Sequence, residues 1–93
     1  MAPIHGPAKV ILHLPTDSYL TEAMIDKMIL GVPSLQPGLL LYGHDVQTGE
    51  LCSVGTILRT RREGRGICQE ATIKAGVVVD SFFMEYRRVD VVP

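Results

Sequence analysis

Apolar and polar residues alternate along Lys9–Leu14. Val10, Leu12 and Leu14 fall on one face and Lys9, Ile11 and His13 on the other, the period of two that marks a strand. Pro15 cannot donate to a ladder and closes it. Ahead of this strand, residues 1–8 hold two prolines and a glycine and read as an irregular arm. The period then changes. Leu20, Met24 and Met28 recur every fourth residue, with Ile25 and Ile29 on the adjacent diagonal and Glu22 and Asp26 on the wet side. This predicts a helix over Thr16–Leu30, with Met24 and Met28 in the core. Thr16, Asp17 and Ser18 can each supply an N-cap oxygen. Gly31 suits the left-handed position at the helix end, and Pro33 forbids continuation.

After a loop over 31–38, Leu39–His44 is an almost unbroken apolar run, expected to be a strand buried on both faces. Asp45–Gly49 carries turn chemistry. Glu50–Arg61 and Ile67–Lys74 read as a third and fourth strand. Side-chain matching pairs Leu58 with Ala71, Thr56 with Ile73 and Val54 with Ala75 on a face that can be buried. Arg59 then lies opposite Glu70 and Arg61 opposite Cys68, across a Glu63-Gly-Arg-Gly66 loop. In that register Cys52 lies on the order of 30 Å from Cys68, so no disulfide joins them within the hairpin. Val77–Val92 reads mostly as strand, with a short helix over Asp80–Arg88 as the alternative. Its apolar end, Val89–Val92, would be a sticky edge unless paired. The order β-α-β-β-β-β predicts one α+β domain over residues 1–93, with one helix packed on a curved antiparallel sheet or partial barrel.

Composition narrows the class. The chain has 93 residues, 46% of them hydrophobic, 20% charged, with a formal charge of −1. That is too apolar and too weakly charged for intrinsic disorder. No apolar run reaches the roughly 18 residues of a membrane span, and no signal peptide is recognisable. Two cysteines are too few for a disulfide scaffold, so a reducing cytoplasm is expected. With five aromatics and no Trp, the core must be aliphatic. So small and apolar a chain is expected to leave apolar surface that a homo-oligomer would hide.

Charge is uneven. Residues 1–50 carry two basic against five acidic side chains, and residues 51–93 seven against five. Arg59, Arg61, Arg62 and Arg65 crowd the predicted hairpin. Guanidinium forks suit phosphate and carboxylate, and glycines at 64 and 66 permit close backbone approach. The same residues could equally pair with Glu63 and Glu70 on a solvated tip, and the small net charge argues against a dedicated nucleic-acid binder. Arg61-x-x-Gly64-x-Gly66 is similar to the acyl-CoA pyrophosphate loop of the N-acetyltransferases. That loop runs into a helix, however, where this chain shows strand alternation. Phe82, Phe83 and Tyr86 are candidates for a pocket or an interface. His5, His13, His44, Asp45, Cys52 and Cys68 show no metal-ligand spacing, so no metal is expected. No nucleophile, phosphate-loop or zinc-protease motif is present, so no catalytic residue and no cofactor is assigned.

The expectation is a non-enzymatic binding or regulatory protein, homo-oligomeric, with the arginine hairpin meeting an acidic protein or a nucleic acid and no membrane. The alternative is a ligand-binding or catalytic α+β barrel with a pocket between helix and sheet, which would require a cleft of several hundred cubic ångströms with convergent polar groups.

Overall fold

The computed structural model describes residues 3–92. Six strands, β1 (Ala8–Leu14), β2 (Leu40–Asp45), β3 (Leu51–Glu63), β4 (Gly66–Ile73), β5 (Phe82–Phe83) and β6 (Arg88–Val91), form one sheet with a single helix, α1 (Glu22–Gly31). All pairings are antiparallel, in the spatial order β5-β2-β3-β4-β1-β6. The order β-α-β-β-β-β is as expected, with the last predicted strand divided. Val79–Ser81 makes a 3-10 turn, and β5 and β6 flank the residues 84–87. The short helix that was the alternative over Asp80–Arg88 does not form, apart from the single turn at Val79–Ser81.

That division makes the sheet curl. β5 and β6 are its two edges, and only four residues separate them. A flat six-stranded sheet would hold its edges about 24 Å apart at about 4.8 Å per strand. The five steps from Phe83 to Arg88 reach at most about 18 Å. The sheet therefore closes into a half-barrel, and Met84, in the connection between its edges, is fully buried.

Paired residues share a face, so the register assigns the concave side. It carries Val10 and Leu12 of β1, Gly55 and Ile57 of β3, and Gln69, Ala71 and Ile73 of β4. Val10, Leu12, Leu41, Val54, Ile57, Ala71, Ile73, Val77, Val79 and Met84 form the main aliphatic core. Val89 and Val91 pair with Leu12 and Val10, so the C-terminal valines find their partner within the chain. Residues 3–7 are irregular, as expected, yet docked. Gly6 donates to the Val77 carbonyl and Ile4 accepts from Val79. Residues 1 and 2 of the predicted arm lie outside the described residues.

The hairpin register holds in its outer half and slips in its inner half. Arg59 pairs with Glu70 and Arg61 with Cys68, as predicted, but Ile57 rather than Leu58 pairs with Ala71, and Thr56 meets Thr72. A bulge between Ile57 and Arg59 accounts for the change. The extra residue lets Ile57 face inward while Arg59 still faces out, and Leu58 is left exposed. Glu63 and Gly66 also pair, so the loop shrinks to Gly64-Arg65. Gly64 has φ +59°, the positive angle a two-residue hairpin needs at its first central position.

The helix is shorter than predicted. It starts at Glu22, and the Thr21 hydroxyl, not those of Thr16, Asp17 or Ser18, accepts from the Met24 N–H at 3.2 Å. Gly31 stays helical and Val32 ends the helix in an extended conformation. From that start the inward stripe is Ile25, Met28, Ile29 and Val32, packed with Leu35 and Ile67 across the end of the barrel. Met24 points outward, 41% exposed, which corrects its assignment to the core. β2 is likewise not buried on both faces: Leu41 and Gly43 are buried, but Leu40 and Tyr42 are exposed.

Candidate functional site

The strand alternation of β3 sends its arginines to different sides. Arg59 and Arg61 project from the convex face, where Arg59 Nε lies 3.4 Å from Glu70 Oε2. Arg61 Nη2 lies 3.9 Å from Cys68 Sγ. Arg62 projects the other way, towards the helix. Its Nε lies 3.2 Å from Asp26 Oδ1 and its Nη1 3.3 Å from Glu22 Oε1. Arg65 sits on the turn, where its carbonyl accepts from the Thr16 hydroxyl. Its guanidinium has no carboxylate within ion-pair distance among the described residues. The four arginines do not share a face, and Gly64 and Gly66 join two strands rather than a strand and a helix.

The aromatic residues do not converge either. Phe82 packs against the main core, while Phe83 faces outward. Tyr86, with φ +57°, is 79% exposed in the turn between β5 and β6.

What does converge is apolar surface around β2. Leu40 and Tyr42 share the convex face with His44, and His44 pairs with both Leu51 and Phe83. Leu40, Tyr42, Leu51 and Phe83 are all exposed and form one strip. β5 pairs only with His44 and Asp45 of β2. Beside the rest of β2 opens a cleft of about 430 Å³, lined by leucines 39, 40, 41 and 51 and by Glu85 and Arg87. His44 Nε2 lies 3.2 Å from Glu85 Oε1. Arg87 Nε donates to Gln69 Oε1 at 3.3 Å, and Gln69 Nε2 donates to Thr60 Oγ1 at 3.1 Å. Gln69 is the one fully buried polar side chain among the described residues. Burial pulls the Arg87 pKa down, opposed by the nearby Glu85 carboxylate.

Comparison of the chain with protein families, curated proteins and solved structures finds no match.

The convex face of β3, β4, β1 and β6 is polar where the β2 strip is apolar. His13 of β1 pairs with Cys68 of β4 on one side and Arg88 of β6 on the other. His13 Nε2 lies 2.9 Å from Asp90 Oδ2, and Nδ1 lies 3.8 Å from Glu63 Oε2. Arg88 also reaches Asp90, at 3.4 Å. Cys68 is 0% exposed. Burial first, then a hydrogen bond with Glu63, pushes its thiol pKa up, and Arg61 opposes the rise. Both cysteines are free thiols. His13, Glu63 and Cys68 bring ligand atoms within 4.8 Å of one another. Spacing along the chain could not gather these three, because β1 reaches β4 only through the order of the folded sheet. Glu63 falls in the turn the sequence predicts, and the one available signal is its place two residues beyond Arg61, which pairs with Cys68.

Proposed function

We propose that this chain is a non-enzymatic binding protein that works as a homo-oligomer in a reducing cytoplasm, with a second copy of itself on the apolar strip at β2. The observation that carries the reading is the coalescence of Leu40, Tyr42, Leu51 and Phe83, all exposed, on one convex face. Surface area supports it. The chain exposes 5995 Å² at a mass of 10.2 kDa, where a monomer of that mass exposes about 5,300 Å². The excess, roughly 700 Å², is close to the ~800 Å² each partner buries in a standard interface. An acidic protein or nucleic acid would then meet the hairpin tip through Arg65 and Arg61, since Arg59 and Arg62 are already paired with carboxylates.

Sedimentation equilibrium tests the assembly. The wild-type chain is expected to be a dimer or larger at tens of micromolar, and Leu40→Glu with Tyr42→Glu to be monomeric with an unchanged circular dichroism spectrum. A monomeric wild type would overturn the reading.

A second reading rests on the cleft. An amphipathic small molecule with a carboxylate or phosphate head would set that head on Arg87 and its body on the leucines. Monomeric protein that binds an apolar carboxylate probe, and loses it on Arg87→Gln, would favour this reading. A second copy on the strip would cover the same leucines, so the two readings compete for one surface.

A further inference from the structure

We propose that His13, Glu63 and Cys68 form a zinc site on the convex face of the sheet, with water as the fourth ligand. The three residues come from three neighbouring strands, so ladder hydrogen bonds, rather than a flexible loop, set their spacing. Cys68 pairs directly with His13 and with Arg61, and Glu63 follows Arg61 by two residues on the same face. The ligand atoms already lie within 4.8 Å of one another, and His13 Nδ1 is 3.8 Å from Glu63 Oε2. Tetrahedral zinc, with bonds of about 2.0–2.3 Å, holds its ligand atoms roughly 3.3–3.8 Å apart. The His13–Glu63 separation already meets that span, and Glu63, 58% accessible, has room to turn.

The orientation of His13 is the second support. Asp90 Oδ2 lies 2.9 Å from Nε2, placed to accept a hydrogen bond from the Nε2–H. That contact leaves Nδ1 on the side of Glu63 and Cys68, the nitrogen available to a metal. An imidazole whose far N–H is held by a carboxylate is the arrangement that surrounds zinc-bound histidines.

Ligand chemistry selects the metal. One thiolate, one imidazole and one carboxylate are a mixed soft and borderline set, which suits zinc and not magnesium or calcium. On binding, a metal–sulfur bond forms and the Cys68 thiol proton leaves to solvent. The Cys68 thiolate and the Glu63 carboxylate offset the dication, Arg61 lies beside the sulfur, and Arg88 pairs with Asp90. Solvent reaches the site past Glu63 and His13, which are not fully buried.

Cobalt(II), then zinc(II), titrated into the metal-free protein tests the assignment. One equivalent of cobalt is expected to give a thiolate-to-cobalt charge-transfer band with the visible bands of a tetrahedral site, and zinc to bleach both. Cys68→Ser and His13→Gln should abolish the band, and Cys52→Ser should keep it. Asp90→Asn should weaken zinc binding about 10- to 100-fold, as outer-shell partners of metal ligands do. Because Cys68 is buried and its replacement could unfold the chain, Glu63→Gln is the control variant. It alters an exposed side chain, should leave the circular dichroism spectrum unchanged, and should weaken binding at least tenfold. No charge-transfer band in the wild type, a band that follows Cys52, or zinc affinity unchanged by both His13→Gln and Glu63→Gln would overturn the site.

Discussion

Gly55 is where the absence of a side chain decides the packing between two strands. A Cβ built there would lie 1.8 Å from the Thr72 carbonyl oxygen, and a backbone oxygen cannot swing away as a long side chain can. Gly55→Ala must push β3 and β4 apart at this pair. Overpacking of this kind costs about 1–3 kcal/mol, so the unfolding free energy is expected to fall by the upper part of that range, read as a lowered urea midpoint at unchanged slope. A midpoint unchanged by the substitution would mean the two strands have slack at this pair. The arginines illustrate the converse at the same scale. Their number and crowding are plain in the sequence, but what each one does depends on which side of β3 it leaves. Arg59 and Arg62, three residues apart, reach carboxylates on opposite sides.

At the scale of the element, α1 is held by burial more than by charge. Ile25 is fully buried at the centre of the minor core. Arg62 joins the helix to β3 through Glu22 and Asp26, whose side chains are mostly exposed. Removing a buried isoleucine typically costs about 2–5 kcal/mol, whereas a solvated ion pair contributes about 0–1 kcal/mol. Ile25→Ala should therefore destabilise the protein several-fold more than Arg62→Ala in chemical denaturation. The reverse order would mean that the helix rides on its ion pairs. The helix itself was legible from the spacing of Leu20, Met24 and Met28 and of Ile25 and Ile29, while its start, and the outward side of Met24, were not. Thr16, Asp17, Ser18 and Thr21 all carry capping oxygens, and the turn that sends Leu20 N–H to the Asp17 carbonyl delays the first helical residue to Glu22. The hairpin shows the same division. Side-chain matching placed Arg59 opposite Glu70 and Arg61 opposite Cys68, as the outer register has them, but its apolar pairs Leu58–Ala71 and Thr56–Ile73 did not form. The inner register depends on a bulge, and strict alternation cannot place Ile57 inward and Arg59 outward together.

At the scale of the whole molecule, the connection from Phe83 to Arg88 closes the curl, and Met84 fills the space it encloses. Met84 is 2% exposed among the main core residues. Met84→Ala is expected to cost about 2–5 kcal/mol, measured as a lowered thermal midpoint with the sheet signal intact below it. A cost no greater than that of a surface substitution would make this connection a strap outside the core. Closure also sorts the convex surface. It leaves the apolar strip of β2 and β5 beside an open cleft, and it brings β1 between β4 and β6, so that His13 meets Cys68, Glu63 and Asp90. Among the described residues no helix is long and apolar enough to cross a membrane.

Periodicity and turn chemistry by themselves determined the α+β class, the element order, the single helix and the aliphatic core. These are local properties, written in spacings of two and four residues and in the placement of Gly and Pro. Only the tertiary structure decided which strands are neighbours and therefore which distant side chains share a face. His13 and Cys68 lie 55 positions apart in the chain and side by side in the sheet. The order β5-β2-β3-β4-β1-β6 is set by how the aliphatic faces close around one core, and no spacing along the chain encodes it.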